Sequence, residues 1–190
     1  DVTELAARYG TPLYLMDEDR IRHNCRVYKE AFGKHFPEGS LPLYAGKACC
    51  FKQMYRIMQE ENMGVDVVSP GEIYTVAQTG YNMEHAFFHG NNKTDADISF
   101  AMDRGVGYFV CDNREEAEQI EAEAAKRGII QKVLLRITPG IDPHTYEAIS
   151  TGKVDSKFGS AIATGQAAEL TGFVLEQEHI DLKGFHCHVG

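Results

Sequence analysis

Short apolar runs alternate with amphipathic stretches through most of this sequence, and that alternation constrains the fold more than any other feature. The apolar runs begin at Leu41, Gly64, Ala86, Gly107, Lys132 and Leu182. Strands separated by helices form βαβ units, which assemble into parallel sheets. A complete eight-fold barrel takes about 250 residues. Six units in 190 residues therefore predict an α/β fold, a parallel (β/α)8 barrel of the TIM type without its last two strands.

An open, doubly wound parallel sheet is the alternative that the same alternation allows. Its commonest signature is a GxGxxG turn directly after the first strand. No such turn follows the apolar run Leu41–Ala45. The missing signature favours the barrel without excluding the open sheet.

Helix start signals follow the apolar runs. Ser69, Pro70 and Glu72 stand where an N-cap, a first-turn proline and the distal member of a capping box would stand. Asn113 with Glu116 gives a second signal of the same kind. Both patterns predict helices that begin immediately after a strand, as the barrel requires.

The first 40 residues lie outside this series. The apolar run Leu13–Met16 predicts a strand, and the following residues predict a helix with Ile21, Cys25 and Tyr28 on one face. We therefore divide the chain into a leading strand and helix at 1–40 and a partial barrel at 41–190. The polar stretch Pro139–Lys157 lacks helical periodicity and predicts a loop over the active face.

The composition excludes several classes of protein. A net charge of −9 argues against a nucleic-acid surface, which needs clustered Lys and Arg. No apolar run is long enough to cross a bilayer, and the N-terminus carries no secretory signal. Five cysteines without CxxC spacing indicate reduced thiols. We therefore predict a cytoplasmic protein whose partner is a small molecule.

Polar and ionisable residues gather where the predicted strands end, which is where barrels build active sites. They are Lys47, Asp66, Ser69, His89, Asn91, Asn92, Asp112, Arg136, His186 and His188. Lys47 is the most informative, because alternation along Leu43–Lys47 places it on the same strand face as Leu43 and Ala45. A lysine that points into a barrel is paired, deprotonated or bound to an aldehyde as an imine. A structural lysine that reaches the rim is the other reading.

His186 and His188 lie two residues apart on one predicted strand, so both rings would face the same side. Such a pair can ligate zinc, and a metal-dependent barrel hydrolase is therefore a rival hypothesis. A histidine ring stacked on a planar cofactor is the other use of this position.

Several motifs, spread in order along the chain, resemble the alanine-racemase-like decarboxylases that use pyridoxal phosphate, and the diaminopimelate decarboxylase branch in particular. The motifs are Tyr44–Ala48, Gly64–Ser69, His89–Lys93, Arg136–Gly140, His144–Thr145, Ile149–Gly152, Ser156–Gly159 and Gly184–Gly190. Any one of them is weakly specific, whereas the ordered set is highly specific.

The resemblance implies a role for each matching residue. Lys47 would form the Schiff base with pyridoxal 5'-phosphate, His188 would stack on its ring, and Arg136 would lie close to it. His89, Asp66 and Glu72 would support the cofactor, and no metal is implied. The implied reaction is decarboxylation of meso-diaminopimelate to L-lysine by a cytoplasmic homodimer. A related decarboxylase or racemase acting on another amino acid, and a non-catalytic homologue, remain open.

The sequence departs from the family pattern at two positions and ends before its later motifs. Pro70 replaces a common glycine and suits the first helical position, whereas Tyr146 replaces a common histidine and leaves the loop contacts open. The family continues beyond Gly190 with a serine, a glycine-rich phosphate loop and a β-domain. We therefore expect residues 1–190 alone to be inactive, to bind the cofactor weakly, and to be soluble only if they self-associate or pair with the missing half.

Overall fold

The computed structural model describes residues 1–141 and 158–188. Its contacts divide the chain into two compact units, Asp1–Pro42 and Leu43–Gly190. In the described ranges, no helix is both long and apolar enough to span a membrane. The motifs His144–Thr145, Ile149–Gly152, Ser156–Lys157 and Val189–Gly190, together with Tyr146, lie outside the described residues.

The first unit contains two helices, α1 at Val2–Tyr9 and α2 at Glu18–His35. Asp1 and Asp17 cap them, because each side chain accepts a backbone N–H two or three residues ahead. The strand predicted at Leu13–Met16 is wrong, since this run forms no ladder and its side chains are exposed. An apolar run without a neighbouring strand cannot satisfy its backbone as a sheet does.

The second unit alternates strands and helices. The strands are β1 Leu43–Ala45, β2 Gly64–Val67, β3 Ala86–Phe88, β4 Tyr108–Cys111, β5 Gln131–Thr138, β6 Ser160–Ala161 and β7 Ile180–His186. The helices are α3 Lys52–Glu60, α4 Pro70–Ala77, α5 Asp95–Asp103, α6 Arg114–Arg127 and α7 Gln166–Leu175. The six predicted strands all form: β2 and β3 start at the predicted residue, and the other four start one or two residues away from it. The two-residue β6 was not predicted.

All strand pairs are parallel, and the strands follow one another in chain order from β1 to β5. Strand β7 then pairs with β5, while β6 pairs only with Ile137 and Thr138 at the end of β5. A doubly wound sheet would reverse its strand order at a switch point. The uninterrupted order confirms the predicted barrel, which is incomplete in this chain.

The core lies between the strands and the helices that cover them. The largest fully buried side chains come from both layers: Tyr55, Phe88, Phe109, Ile57, Met58, Ile73, Ile98, Ile120 and Leu135. Burying a side chain of this size contributes about 1.5–3 kcal/mol. The core therefore fixes the strands, and the strand ends carry the polar side chains that follow.

The predicted capping boxes form in a modified way. Ser69 accepts the N–H of Glu72, as predicted, but the Glu72 carboxylate accepts the N–H of Val68 rather than that of Ser69. Glu116 behaves likewise, since its carboxylate accepts the N–H of Asp112. Each glutamate thus holds the last residues of the preceding strand as well as the start of its helix.

Candidate active site

A cavity of about 320 Å³ opens at the carboxyl ends of β1, β2, β3, β5 and β7. Its lining includes five of the six predicted cofactor-site residues: Lys47, Asp66, His89, Arg136 and His188. The sixth, Glu72, does not line the cavity. It is buried behind Asp66 and fixes the turn from β2 to α4. Strand ends that meet at one edge explain why distant residues converge.

Lys47 lies in a 3-10 turn at Gly46–Ala48, one residue after β1 ends at Ala45. Strand alternation therefore does not set its direction, as the sequence analysis assumed, because the strand has already ended. The side chain is exposed at the mouth of the cavity rather than buried. An accessible amine at this point can react with a carbonyl group that enters the cavity.

The turn that carries Lys47 packs closely on the layer beneath it. A Cβ added at Gly46 would lie 2.5 Å from the Tyr55 hydroxyl and 2.8 Å from the carbonyl oxygen of Asp66. Only glycine fits there. The buried Tyr55 hydroxyl has no hydrogen-bond partner among the described residues, and burial raises its pKa. The Tyr44 hydroxyl donates to the carbonyl of Cys49 at 3.0 Å and braces the far side of the turn.

The side chains of Asp66, His89 and His186, which all line the cavity, contact one another in that order. His89 Nε2 lies 3.1 Å from Asp66 Oδ1, and the His89 ring meets the His186 ring edge-on at 4.9 Å. Burial, followed by the nearby His89 and Arg136, lowers the pKa of His186 to about 4. His186 is therefore neutral near pH 7. The sequence indicated a metal ligand or a ring over a cofactor at this position, and the contact of His186 with His89 was not predicted.

His188 follows the end of β7 and is exposed at the cavity rim. Desolvation lowers its pKa, and the charges of Arg136 and Lys47 lower it further. The neutral ring is thereby favoured, and a neutral ring can cover a planar ligand. Among the described residues, no group of three or more His, Cys, Asp or Glu side chains could hold a metal ion.

Arg136 on β5 is the cationic group inside the cavity, and it is 9% exposed. Its guanidinium carbon lies 4.1 Å from the centroid of the Phe158 ring, and its Nε lies 3.9 Å from Asp112 Oδ1. A guanidinium stacked on a ring keeps its N–H donors in one plane. That plane suits recognition of a carboxylate or phosphate.

Lys93 and Glu116 form a buried ion pair that was not predicted from the sequence. Lys93 Nζ donates to Glu116 Oε1 at 2.6 Å and to the carbonyls of Gly90 and Val110 at 2.8 and 2.9 Å. These bonds use all three ammonium hydrogens. The side chains of Lys93 and Glu116 are 2% and 4% exposed. The pair ties the ends of β3 and β4 together.

Residues 18–190 match the family described as pyridoxal-dependent decarboxylase, pyridoxal binding domain. The chain belongs to this family. Pyridoxal phosphate, expected from the sequence motifs, is accordingly the cofactor of this pyridoxal-dependent decarboxylase domain.

Relatives of the domain include diaminopimelate decarboxylases. Over 190 residues it is 40% identical to the diaminopimelate decarboxylase of Halalkalibacterium halodurans, a match covering all of this chain and 43% of that protein. The M. jannaschii enzyme, solved with L-lysine, is 34% identical with a TM-score of 0.89 and is covered to 44%. The Helicobacter pylori enzyme, also solved with L-lysine, is 30% identical with a TM-score of 0.91 and is covered to 47%. Both solved structures match all of this chain. The chain thus spans less than half the length of these relatives.

The cavity fits the cofactor of the pyridoxal-dependent decarboxylases. Lys47 would supply the amine that the cofactor's aldehyde requires, and Arg136 would supply a cation for an acidic group. The buried Nδ1 of His186 has no hydrogen-bond partner among the described residues. A buried polar nitrogen without a partner is costly unless a ligand or water meets it. The donor set is therefore that of a ligand site rather than of a packed core.

Proposed function

We propose that this chain is the pyridoxal-binding part of an enzyme that decarboxylates meso-diaminopimelate to L-lysine. The observation that carries the proposal is the position of Lys47, an exposed amine at the mouth of a cavity lined by Arg136 and three histidines. The 40% identity to a diaminopimelate decarboxylase along the whole chain supports the substrate. The two relatives solved with L-lysine support the product.

Each side chain of the cavity has a task in the proposed reaction. Lys47 would hold the cofactor through Nζ, and His188 would cover one face of its ring. When bound, pyridoxal phosphate supplies the electron sink that accepts the electron pair of the broken carbon–carboxylate bond. Arg136 would bind an anionic group and thereby fix the angle at which the ligand enters. Asp66 holds His89 through Nε2, and His89 in turn packs against His186.

The neutral state of His186 matters for this arrangement. A protonated imidazole beside Arg136 would add a second positive charge to a wall that already carries one. Because burial keeps His186 neutral near pH 7, it can donate or accept one hydrogen bond without that repulsion. Asp66 and Glu72 would act indirectly: Asp66 holds the His89 ring, and Glu72 holds the backbone N–H of Val68.

The proposal includes a cytoplasmic homodimer of the whole protein. All five cysteines are free thiols, and Cys50 and Cys187 are exposed, which suits a reducing compartment. The mass of the purified protein in solution tests the dimer. A monomer that is fully active would contradict this part of the proposal.

The test of the reaction uses the protein in its natural full length. Incubation with pyridoxal phosphate and meso-diaminopimelate should release carbon dioxide and L-lysine in equal amounts. L-Ornithine, L-arginine and L-lysine serve as competing substrates, and D-alanine formation from L-alanine tests racemisation. Faster turnover of any of these would assign the chain to another member of the family.

The test of Lys47 is the loss of covalent attachment. Lys47→Ala should remove the visible absorbance band of the bound cofactor, the label fixed by borohydride, and turnover, which we expect to fall by about 1,000-fold or more. Lys52→Ala is the matched control, because Lys52 is also exposed and lies five residues further along the chain. A borohydride label that persists on another lysine in the Lys47→Ala protein would overturn the assignment.

A further inference from the structure

The short segment Phe158–Gly159 closes over Arg136. The Phe158 ring stacks on the guanidinium at 4.1 Å, and the Phe158 carbonyl accepts the Thr138 hydroxyl at 2.8 Å. Gly159 has a φ of +70°, and a Cβ there would lie 3.0 Å from the Arg136 carbonyl oxygen and 3.1 Å from its Cγ. The backbone of this segment therefore lies directly on the arginine, and only glycine allows that approach.

Asp112 holds this segment in place from the neighbouring strand. Its Oδ2 accepts the N–H of Gly159 at 3.0 Å, and its Oδ1 lies 3.9 Å from Arg136 Nε. The side chain is buried, and Oδ1 has no hydrogen-bond partner among the described residues. One carboxylate thus faces both the arginine and the segment that covers it.

The backbone of Asp112 is itself fixed. Its N–H donates to Glu116 Oε2 at 3.1 Å, and the other oxygen of Glu116 is held by the buried Lys93. The carboxylate can therefore not follow Arg136 if the arginine moves. Burial raises the pKa of Asp112, and the Gly159 N–H and Arg136 oppose this shift. Burial of the carboxylate costs desolvation free energy, which the Gly159 N–H and Arg136 offset in part.

Asp112 is absent from the lining of the Lys47 cavity, whereas Arg136 belongs to it. Asp112 instead faces a neighbouring cavity of about 370 Å³. Any effect of Asp112 on the ligand of the Lys47 cavity must therefore pass through Arg136 and Phe158.

We infer that Asp112 is a positioning residue: it clamps Phe158–Gly159 onto Arg136 and so fixes the direction in which the guanidinium meets the acidic group of the ligand. The inference rests on the proposed function in one respect, namely that the ligand of Arg136 is bound in the Lys47 cavity. It assigns to Asp112 and Gly159 a task that their contribution to folding does not require.

The experiment is a double-mutant cycle in the full-length protein. Asp112→Asn keeps an oxygen that can accept the Gly159 N–H but removes the charge beside Arg136, and Arg136→Ala removes the group that is positioned. We expect each change alone to lower kcat/KM by about 10- to 100-fold, because small displacements of a binding group have effects of this size. Cofactor attachment to Lys47 should persist in both variants.

The double variant decides between a positioning role and a purely structural one. If Asp112 acts through Arg136, the double variant should match Arg136→Ala within about 3-fold. Multiplied losses would overturn the inference. Phe158→Leu provides a second route, because it removes the stacked ring and leaves the Asp112 contact; it should lower kcat/KM and lose this effect when Arg136 is already alanine.

Cofactor binding gives a readout that does not depend on the substrate. The dissociation constant for pyridoxal phosphate, from absorbance titration, is measured across the same cycle. If diaminopimelate is not the substrate, the proposed function fails, while the cycle in cofactor affinity and in turnover of the true substrate still tests the clamp. An Arg136→Ala change that alters neither quantity would refute the clamp itself.

The matched control is Glu121→Gln. Glu121 also accepts a backbone N–H from a distant segment, that of His179 at 2.9 Å, but it does not line the Lys47 cavity. We expect it to leave kcat/KM within about 2-fold. Asp112→Asn should change the melting temperature at neutral pH only slightly, because it removes a carboxylate whose burial is costly but also leaves the buried Arg136 without that charge 3.9 Å away. A large fall in melting temperature with unchanged kcat/KM would mean that Asp112 serves folding and would overturn the inference.

Discussion

Two sides of the cavity are built in opposite ways. On the buried side, which we call the wall, Arg136 lines the cavity, and Lys93, Asp112 and Glu116 do not line it but enclose their polar groups at the ends of β3 and β4 and the start of α6. The exposed rim, formed by Lys47 and His188, lies beyond the ends of β1 and β7, and both side chains reach solvent. The wall is held by many short contacts, whereas the rim rests on backbone turns.

The difference suits the roles that we propose for the two sides in a pyridoxal-dependent decarboxylase. A group that sets the orientation of a ligand works best when its own position is fixed by further contacts. A lysine that attaches to a cofactor and is released again would have to break any such contact in every turnover. The structure places its fixed contacts on the wall and leaves the reactive amine accessible.

The strongest way to break the wall is to remove its buried cation. Lys93→Met should lower the free energy of unfolding by about 3–5 kcal/mol, because it leaves the buried Glu116 carboxylate without its counter-charge. Lys126→Met, on the same helix α6 as Glu116, should cost about 0.5 kcal/mol or less, because the Lys126 side chain is 67% exposed and its partner Glu123 keeps its contact with Arg127. Urea unfolding of both variants measures the contrast. Equal losses would show that the Lys93 pair is not special.

A smaller change compares the two glutamates that hold strand ends. Glu116→Gln leaves Lys93 with an uncompensated buried charge and should cost about 2–3 kcal/mol more than Glu72→Gln. No lysine or arginine faces Glu72 within the described part of the chain, so its neutral substitute loses only a charge-assisted bond. The double variant Lys93→Met with Glu116→Gln should recover part of the loss. No recovery would argue against direct coupling.

The third prediction concerns His186 and the dependence of the free energy of unfolding on pH. His186 stays neutral in the folded protein down to a pKa of about 4, whereas in the unfolded chain it takes up its proton near pH 6.5. Its contribution to stability is therefore complete above pH 6.5 and is lost as the pH falls from there towards 4. We expect a loss of about 1–2 kcal/mol, reduced by the partial exposure of the ring.

The comparison that isolates this contribution is His186→Gln. This variant should lack that part of the decline between pH 6.5 and 4, whereas His35→Gln, at an exposed position of α2, should decline as the parent does. Chemical unfolding at several pH values supplies the measurement. Parallel curves for the parent and His186→Gln would show that His186 does not titrate in this window.

The smallest effect is expected at the rim, for a substitution of His188. His188→Phe keeps a flat ring over the cofactor and should alter the affinity for pyridoxal phosphate by only about 2- to 5-fold. His188→Ala removes the ring and should weaken binding further. Metal analysis provides the opposing outcome, because stoichiometric zinc that is lost on His188→Phe would favour the metal-dependent hydrolase.

The sequence was sufficient for the repeating part of the fold. Strands starting near Gly64, Ala86 and Gly107 are short apolar runs, each followed by a capped helix after a short connection, and two local signals that agree rarely mislead. Leu13–Met16 was wrong because an apolar run forms a strand only beside another strand. The short β6 carries no pattern of its own, since it depends on pairing with the end of β5.

The site was predictable where a side chain follows a strand end and not where contacts cross between strands. Lys47, Asp66, His89, Arg136 and His188 converge because parallel strands end together. Lys93 and Glu116 are 23 positions apart, and a buried pair of this kind leaves no local trace. The roles proposed for the cavity residues stay predictions until the variants above are measured.

Strand β7 contains one residue more than its partner β5 requires. Leu182 pairs with Val133 and Gly184 with Leu134, so Lys183 is the extra residue, and the register shift carries through to the pairing of His186 with Arg136. If Lys183 entered the ladder opposite Leu134 instead, Phe185 would stand beside Arg136 and every later side chain would change faces. The bulge therefore decides which residue of this strand stands beside Arg136: a shorter strand without Lys183 would keep the imidazole there, whereas the same strand paired without its bulge would present a hydrocarbon ring.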